Sequence, residues 1–319
     1  MQTTLLGRTG VTVSRLCFGT MSFGGDADEA EAGRLYAACR DAGITFFDCA
    51  DVYAKGRSEE ILGRLIASER DRLVITTKLG SGEEANAKGL SRRHIARAVE
   101  ASLRRLGTDR VDVLFVHRFD EETAMEETLR GLEDVVRAGK ALYLGASNWA
   151  AWQVAKALGL SARHGWTRFD VLQPMYNLVK RQAEVELLPL AQSEGLAVTP
   201  YSPVGGGLLT GKYRSADASG RIRAVDFYAR RYAPAWMHET AGRFADLAQR
   251  LGLHPVTLAV AWVAAHPGVT APIVGARSVE QLRPALLALD VAMTGELKRE
   301  IDALSPTPPP ATDWLEEQS

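Results

Sequence analysis

Four side chains in this 319-residue chain have the types and positions to move a proton onto an oxygen. Asp48 and Tyr53 lie five residues apart in FFDCADVY, Lys78 follows the apolar run of VITTKLG, and His117 closes DVLFVHRFD. A phenol titrates near ~10, too high for an efficient acid at neutral pH. An ammonium beside it favours the phenolate and is expected to lower that value. Asp48 would supply the countercharge for a buried lysine. A histidine at the same place can orient and polarise a carbonyl oxygen. With a hydride donor, the set would reduce a carbonyl. Taken singly, each residue has a plainer reading: Asp48 a helix cap, Lys78 a solvated strand end, His117 a satisfied core histidine, Tyr53 a packing residue. Their joint placement favours chemistry.

That placement requires an architecture that gathers strand ends. Short apolar runs alternate with helical patterns, as in a parallel sheet with helical crossovers. Eight strands are expected: Arg15–Phe18, Ile44–Phe47, Leu73–Thr77, Val111–Val116, Ala141–Leu144, Phe169–Leu172, Leu196–Pro200 and Thr270–Val274. Eight such units make an α/β chain of (β/α)8 TIM-barrel type. Catalytic groups of such barrels sit at the C-terminal strand ends. Asp48, Lys78 and His117 follow the second, third and fourth strands. Thr123 with Glu126 reads as a capping box, with Gly139 as the C-terminal cap. Ser91 opens a helix whose inner face carries Ile95, Val99, Ser102 and Leu106. Asp26, Ser58 and Ser278 are further expected caps. Thr3–Val13 reads as an N-terminal β-hairpin, and residues 203–234 as a long loop after strand seven, of a length usually tied to function. The sequence shows no linker, so residues 1–319 are expected to form a single domain.

Composition narrows the class. The 38 basic and 39 acidic residues nearly cancel, which gives no support for a nucleic-acid partner. Cys17, Cys39 and Cys49 lack metal-type spacing and cannot all pair, so reduced thiols, no metal and a cytoplasmic location are expected. The N-terminal residues lack a charged stretch followed by an apolar run, so no signal peptide is expected, and no apolar run reaches membrane-spanning length. Gly206, Gly211 and Lys212 have P-loop spacing, but Tyr213 stands where a Mg²⁺-binding Ser or Thr is needed. No GxGxxG follows the first strand, so a nicotinamide site would need an architecture other than a Rossmann domain.

The segments FFDCADVY, TTKLG, DVLFVHR, LGASNW, QPMYN, PYSPVGGGLLTGKY and IVGARSVEQL, in that order, resemble the aldo-keto reductases over nearly the whole chain. The resemblance implies reversible, NADPH-dependent reduction of an aldehyde or ketone, a sugar or other small carbonyl included. It makes Tyr53 the general acid, Lys78 its modulator, Asp48 the partner of Lys78 and His117 the substrate orienter. It places the cofactor against Gly19, Thr20, Met21 and Asp48. Ser147, Asn148 and Gln173 would bind the carboxamide, and Tyr201 would stack on the ring. Ser202, Pro203, Val204 and Gly206 would follow the pyrophosphate, with Lys212 beyond. Gly275, Arg277 and Gln281 would hold the adenosine end. Arg277 beside a helix start suits a 2′-phosphate, which favours NADP over NAD. Phe23, Phe119 and Trp149, with Tyr53 and His117, are the expected substrate pocket, and Met21, Phe227, Tyr228 and Trp236 are further candidates. Two departures stand out: Cys49 replaces a common threonine, and Pro284 and Ala285 replace a Glu-Asn pair near the adenine. A cofactor-binding regulatory module, like the potassium-channel β subunits, and a Schiff-base aldolase using Lys78 are the competing readings.

Overall fold

A computed structural model of the chain describes residues 1–82, 88–215 and 217–312. An antiparallel hairpin, β1 (Thr3–Leu5) and β2 (Thr12–Ser14), precedes eight parallel strands. These are β3 (Cys17–Gly19), β4 (Phe46–Asp48), β5 (Val74–Leu79), β6 (Val111–Val116), β7 (Ala141–Ser147), β8 (Phe169–Gln173), β9 (Ala197–Val198) and β10 (Ile273–Val274). Pairing runs in the order β10-β3-β4-β5-β6-β7-β8-β9. The amides of Thr270 and Ile273 donate to the carbonyls of Val198 and Pro200, so the ends meet and the sheet closes into a (β/α)8 barrel. Each expected strand is present. The last two are shorter than expected, at Ala197–Val198 and Ile273–Val274, though the flanking amides of Thr199 and Thr270 still bond to neighbouring barrel carbonyls.

Helices α1 (Glu29–Asp41), α2 (Arg57–Ile66), α3 (Arg92–Leu106), α4 (Met125–Arg137), α5 (Ala151–His164) and α6 (Leu187–Glu194) fill the crossovers between β3 and β9. After β9 come α7 (Arg221–Ala224), α8 (Asp226–Arg231), α9 (Ala235–Arg250) and α10 (Pro255–Ala264). After β10 come α11 (Val279–Leu286) and α12 (Gly295–Asp302). The long segment after β9 is therefore partly helical: α7 and α8 follow two 3-10 turns at Gly205–Thr210 and Lys212–Arg214.

Ser91 and Ser278 cap α3 and α11 as expected. Three other expected caps do not form. Thr123 donates to Asp120 instead, and α4 starts after Ala124. Asp28 rather than Asp26 caps α1. Ser58 lies inside α2, buried and bonded to Thr20. In each case a nearby polar partner took the side chain that the motif assigned to the backbone.

Alternation along the strands separates two apolar layers. Cys17, Phe46, Val74, Val113, Phe115 and Val171 share one cluster with Leu6 and Val13 of the hairpin. Their neighbours Phe18, Phe47, Ile75 and Leu114 pack with the helices. Leu6 and Val13 are fully buried, so the hairpin plugs the N-terminal end of the barrel and leaves the C-terminal end as the open mouth.

Candidate active site

Lys78 is the centre of the mouth. It is fully buried, which an ammonium tolerates only when its donors are satisfied. Its Nζ donates to Asp48 Oδ2 at 2.5 Å, to the Cys49 carbonyl at 2.7 Å and to the Tyr53 hydroxyl oxygen at 3.2 Å. Those contacts match the three hydrogens of the ammonium. Asp48 is held in turn, its Oδ1 accepting from Thr76 at 2.8 Å and from Gln173 Nε2 at 2.9 Å. Because Lys78 uses a lone pair of the Tyr53 oxygen, the phenol's own proton is left for an acceptor in the cavity.

The titration behaviour refines the expectation for Tyr53. Lys78 does pull its pKa down, but burial is the larger effect, and the phenol is pushed up to about 12. The expected net lowering is therefore reversed: a dry pocket disfavours the phenolate more than one ammonium favours it. Lys78 itself is held above its ordinary range, because Asp48 and Tyr53 outweigh its own desolvation. His117 is pushed down to about 3 by burial first, then by Lys78 and Arg118. It is neutral at physiological pH and stands edge-on to Tyr53, with ring centroids 6.2 Å apart. Asp51, between Asp48 and Tyr53, is pushed up to about 7 by burial and then by Glu59, and one of its oxygens is buried without a partner among the described residues.

A cavity of about 1030 Å³ opens over this set. Asp48, Tyr53 and His117 line it, with Lys78 beneath. Gly19, Met21, Ser147, Asn148, Gln173, Tyr201, Ser202, Pro203, Val204, Gly206, Lys212, Gly275, Arg277 and Gln281 also line it. Thr20 is brought near but turned inward: its hydroxyl serves the Asp48 carbonyl and Ser58. Phe23 is fully buried against Phe18 and does not reach the cavity. Phe119 and Trp149 pack edge-to-face, 4.9 Å apart, outside its lining. Cys49 is a buried thiol beside Ser58, and its carbonyl is what the lysine uses.

The lining also contains residues that the sequence reading passed over: Ser81, Arg118, Arg221, Arg231, His254 and Glu280. The arginines of the long segment could have been found by asking which charges lack helical partners. His254 and Glu280 carry no such signal. Phe227 and Tyr228 line the cavity, and Trp236 does not. Pro284 and Ala285, named above as departures, stand in its wall and offer no polar side chain to the cavity.

Backbone strain gathers here. The non-glycine residues with left-handed backbone among the described residues are Ala54, Lys55, Asn148 and Ser202. The first two follow Tyr53 and the others line the cavity, as strained residues at ligand sites commonly do. Asn148 accepts from the Tyr201 hydroxyl at 2.7 Å and donates to the His117 carbonyl at 2.9 Å, tying three strand ends together. Gly206 has φ 64°, and a Cβ there would lie 3.2 Å from the Tyr228 ring, so the glycine keeps this turn open. At the far end Asp26 pairs with Arg277 at 3.0 Å and with Arg221 at 3.6 Å, joining the long segment to the turn after β10.

No helix among the described residues is long and apolar enough to cross a membrane, and no group of three or more metal-ligating side chains occurs among them. The chain is 37% identical to an uncharacterized oxidoreductase, YrpG, of Bacillus subtilis, covering 98% of this chain and all of that protein. It is 39% identical to a probable voltage-gated potassium channel subunit beta of Oryza sativa, over 98% of this chain and 99% of the relative. A versiconal hemiacetal acetate reductase of Aspergillus parasiticus shares 34% over 93% of this chain and 94% of its own. The sequence profile of the aldo/keto reductase family matches residues 15–306, and the chain belongs to that family.

Proposed function

We propose that the protein reduces an aldehyde or ketone to the alcohol, reversibly, with NADPH as hydride donor and Tyr53 as proton donor. The observation that carries this reading is the triple engagement of Lys78 by Asp48, the Cys49 carbonyl and Tyr53. A charged lysine so held stabilises the phenolate left when Tyr53 gives up its proton. The raised pKa of Tyr53 keeps the acid loaded at physiological pH. Neutral His117 donates one N–H to the carbonyl oxygen and so orients it, and it carries no extra proton of its own at that pH.

The residues present suit a nicotinamide dinucleotide. When bound, it would supply hydride to the carbonyl carbon. Gln173 has its Nε2 committed to Asp48, which leaves Oε1 as an acceptor for a carboxamide N–H. Ser147 and Asn148 offer further amide partners, and the Tyr201 ring offers a face for an aromatic ring. The open turn at Gly206 and the cation of Lys212 suit a pyrophosphate, and Arg277 suits a 2′-phosphate. The same lysine geometry counts against the Schiff-base reading, because an amine held protonated with every donor engaged is a poor nucleophile.

The test is NADPH oxidation with a panel of aldehydes and ketones. Stoichiometric conversion of carbonyl to alcohol is expected. The similarity to probable channel β subunits keeps a second reading in view, that of a cofactor-binding regulatory module. Tight NADPH binding without turnover of any carbonyl would favour it.

A further inference from the structure

Tyr53 heads a turn that should not hold its shape unaided. Ala54 and Lys55 both have left-handed backbone, with φ 47° and 56°, and Gly56 follows at φ 90°. Adjacent non-glycine residues in that region are costly and persist only where the surroundings over-determine them. The Lys55 side chain is exposed. The turn is tied at its entry, where the Asp51 amide donates to the Lys78 carbonyl at 3.1 Å. It is tied again at its exit, where buried Ser58 donates to the Thr20 carbonyl at 2.8 Å. Neither tie is made by Ala54, Lys55 or Gly56 themselves.

Arg105, at the end of α3, lies directly against this turn. An added Cβ on Gly56 would sit 2.7 Å from Arg105 Cδ and 2.8 Å from its Nε. The guanidinium is fixed there by Glu59, whose Oε2 accepts from Nε at 2.7 Å and meets the terminal nitrogen at 2.6 Å. Glu59 is fully buried, and its other oxygen accepts from Thr77 at 2.5 Å. Thr77 immediately precedes Lys78 in β5. One carboxylate therefore joins the strand that carries the lysine to the arginine that covers the turn carrying the phenol. The proton transfer assigned to Tyr53 uses neither Glu59 nor Arg105. A buried ion pair adds little net stability, because desolvation offsets most of its attraction, and its better-attested use is to fix one arrangement among several. The charge of Arg105 also opposes that of Glu59 at Asp51, two residues before Tyr53.

We propose that Arg105 and Glu59 are positioning residues for the proton donor: their pair clamps the strained turn and so holds the Tyr53 hydroxyl 3.2 Å from Lys78 Nζ. Without the clamp, Ala54 and Lys55 can leave the left-handed region and relieve their strain. Tyr53 precedes them directly and moves with them, while Lys78 stays where Asp48 and the Cys49 carbonyl hold it. Chemistry that depends on the phenol then suffers, and the cavity walls on the other strands do not. Misplacing a reacting group by about 1 Å can cost ~10²-fold in rate. This rests on the reductase reading and adds residues that act through Tyr53.

The test removes both charges at once, because a buried Glu59 left without its arginine would threaten folding. In Glu59→Gln/Arg105→Met the new amide oxygen can still accept from Thr77. With NADPH and 4-nitrobenzaldehyde, kcat is expected to fall by about tenfold or more, while NADPH affinity by fluorescence titration changes by less than about twofold. Arg105→Lys keeps a chain over Gly56 and a cation for Glu59, and should retain most of kcat. Thr77→Val frees Glu59 from β5 with the ion pair intact and should lower kcat by less than the double substitution does. The decisive variant adds Lys55→Gly to the double substitution. Glycine takes left-handed backbone without strain, so kcat should recover by about threefold or more. Lys55→Gly alone should leave kcat unchanged. Full kcat in the folded double variant, or in Thr77→Val where the double variant does not fold, overturns the proposal and leaves the reductase reading standing. Parallel loss of kcat and NADPH affinity, with no recovery on adding Lys55→Gly, also overturns it, by making the pair a support of the barrel as a whole. A wild-type protein that turns over neither 4-nitrobenzaldehyde nor any other carbonyl removes the reductase reading and this one with it.

Discussion

Lys78 shows how far residue types carry an argument and where geometry takes over. The sequence places an acid, a lysine and an imidazole after consecutive strands, and that much was legible from strand counting. That the lysine's third acceptor is the Cys49 carbonyl was not legible, because a backbone group has no signature in side-chain types. Nor was the direction of the Tyr53 shift, since burial and charge oppose one another and only their balance decides. That balance has a consequence in pH. An acid held near 12 stays protonated below that value, so reduction should not decline through the usual alkaline range. The reverse reaction needs the phenolate and should accelerate as pH rises. Neutral His117 should contribute no inflection near its ordinary 6.5. Steady-state rates in both directions from pH 6 to 10 would check this, and loss of reduction already near pH 8 would contradict it. Asp51 gives a separate test. Its folded pKa of about 7 lies above its ordinary 3.8. The folded state therefore binds the proton more tightly, and stability is lost as pH rises between those values. Asp51→Asn removes a buried charge that costs a few kcal/mol at neutral pH, of the order implied by a shift of this size. Its Tm should exceed that of the parent at pH 8 and lose that advantage by pH 4.

At the level of elements, the strands were readable because apolar runs in a parallel barrel are continuous and their spacing is regular. Caps were read less well. Thr123 has the right neighbours for a capping box and lost its role to Asp120, a contact set by the fold. The segment after β9 looked like a loop because it is rich in glycine and arginine, yet it holds α7 and α8, short helices whose apolar anchors Ile222 and Tyr228 are buried. One contact between elements yields a prediction that sequence alone reverses. Gly63 lies inside α2, where alanine normally stabilises a helix by about 1 kcal/mol. Here a Cβ would lie 2.4 Å from the carbonyl oxygen of Leu106 at the end of α3. That neighbour is backbone and cannot rotate away. Overpacking of this kind costs roughly 1–3 kcal/mol and should win. Gly63→Ala is expected to lower Tm, and an unchanged or raised Tm would show that the two helices can separate at little cost.

For the whole molecule, the barrel explains why residues from Gly19 to Gln281 meet at one mouth: each parallel strand delivers its next loop to the same end. Most of the residues expected to meet a cofactor line the cavity because they fall on those loops. The expected aromatic pocket was less legible. Phe23 turns into the core and Trp149 packs on Phe119, since aromatic side chains near a mouth serve the walls as readily as the cavity. Asp26 was read as a helix cap and instead joins Arg277 to Arg221 across the cavity's far end. If Arg277 also meets a 2′-phosphate, Arg277→Ala should weaken NADPH by about tenfold or more and NADH little, as fluorescence titration would show. Equal losses for both would refute the 2′-phosphate role. The central claim is that Tyr53 delivers the proton, and it is tested most directly by Tyr53→Phe, measured for turnover and for NADPH affinity in the same preparation. Reduction is expected to fall by at least about 10²-fold while NADPH affinity stays nearly intact. Undiminished turnover in that variant would contradict it.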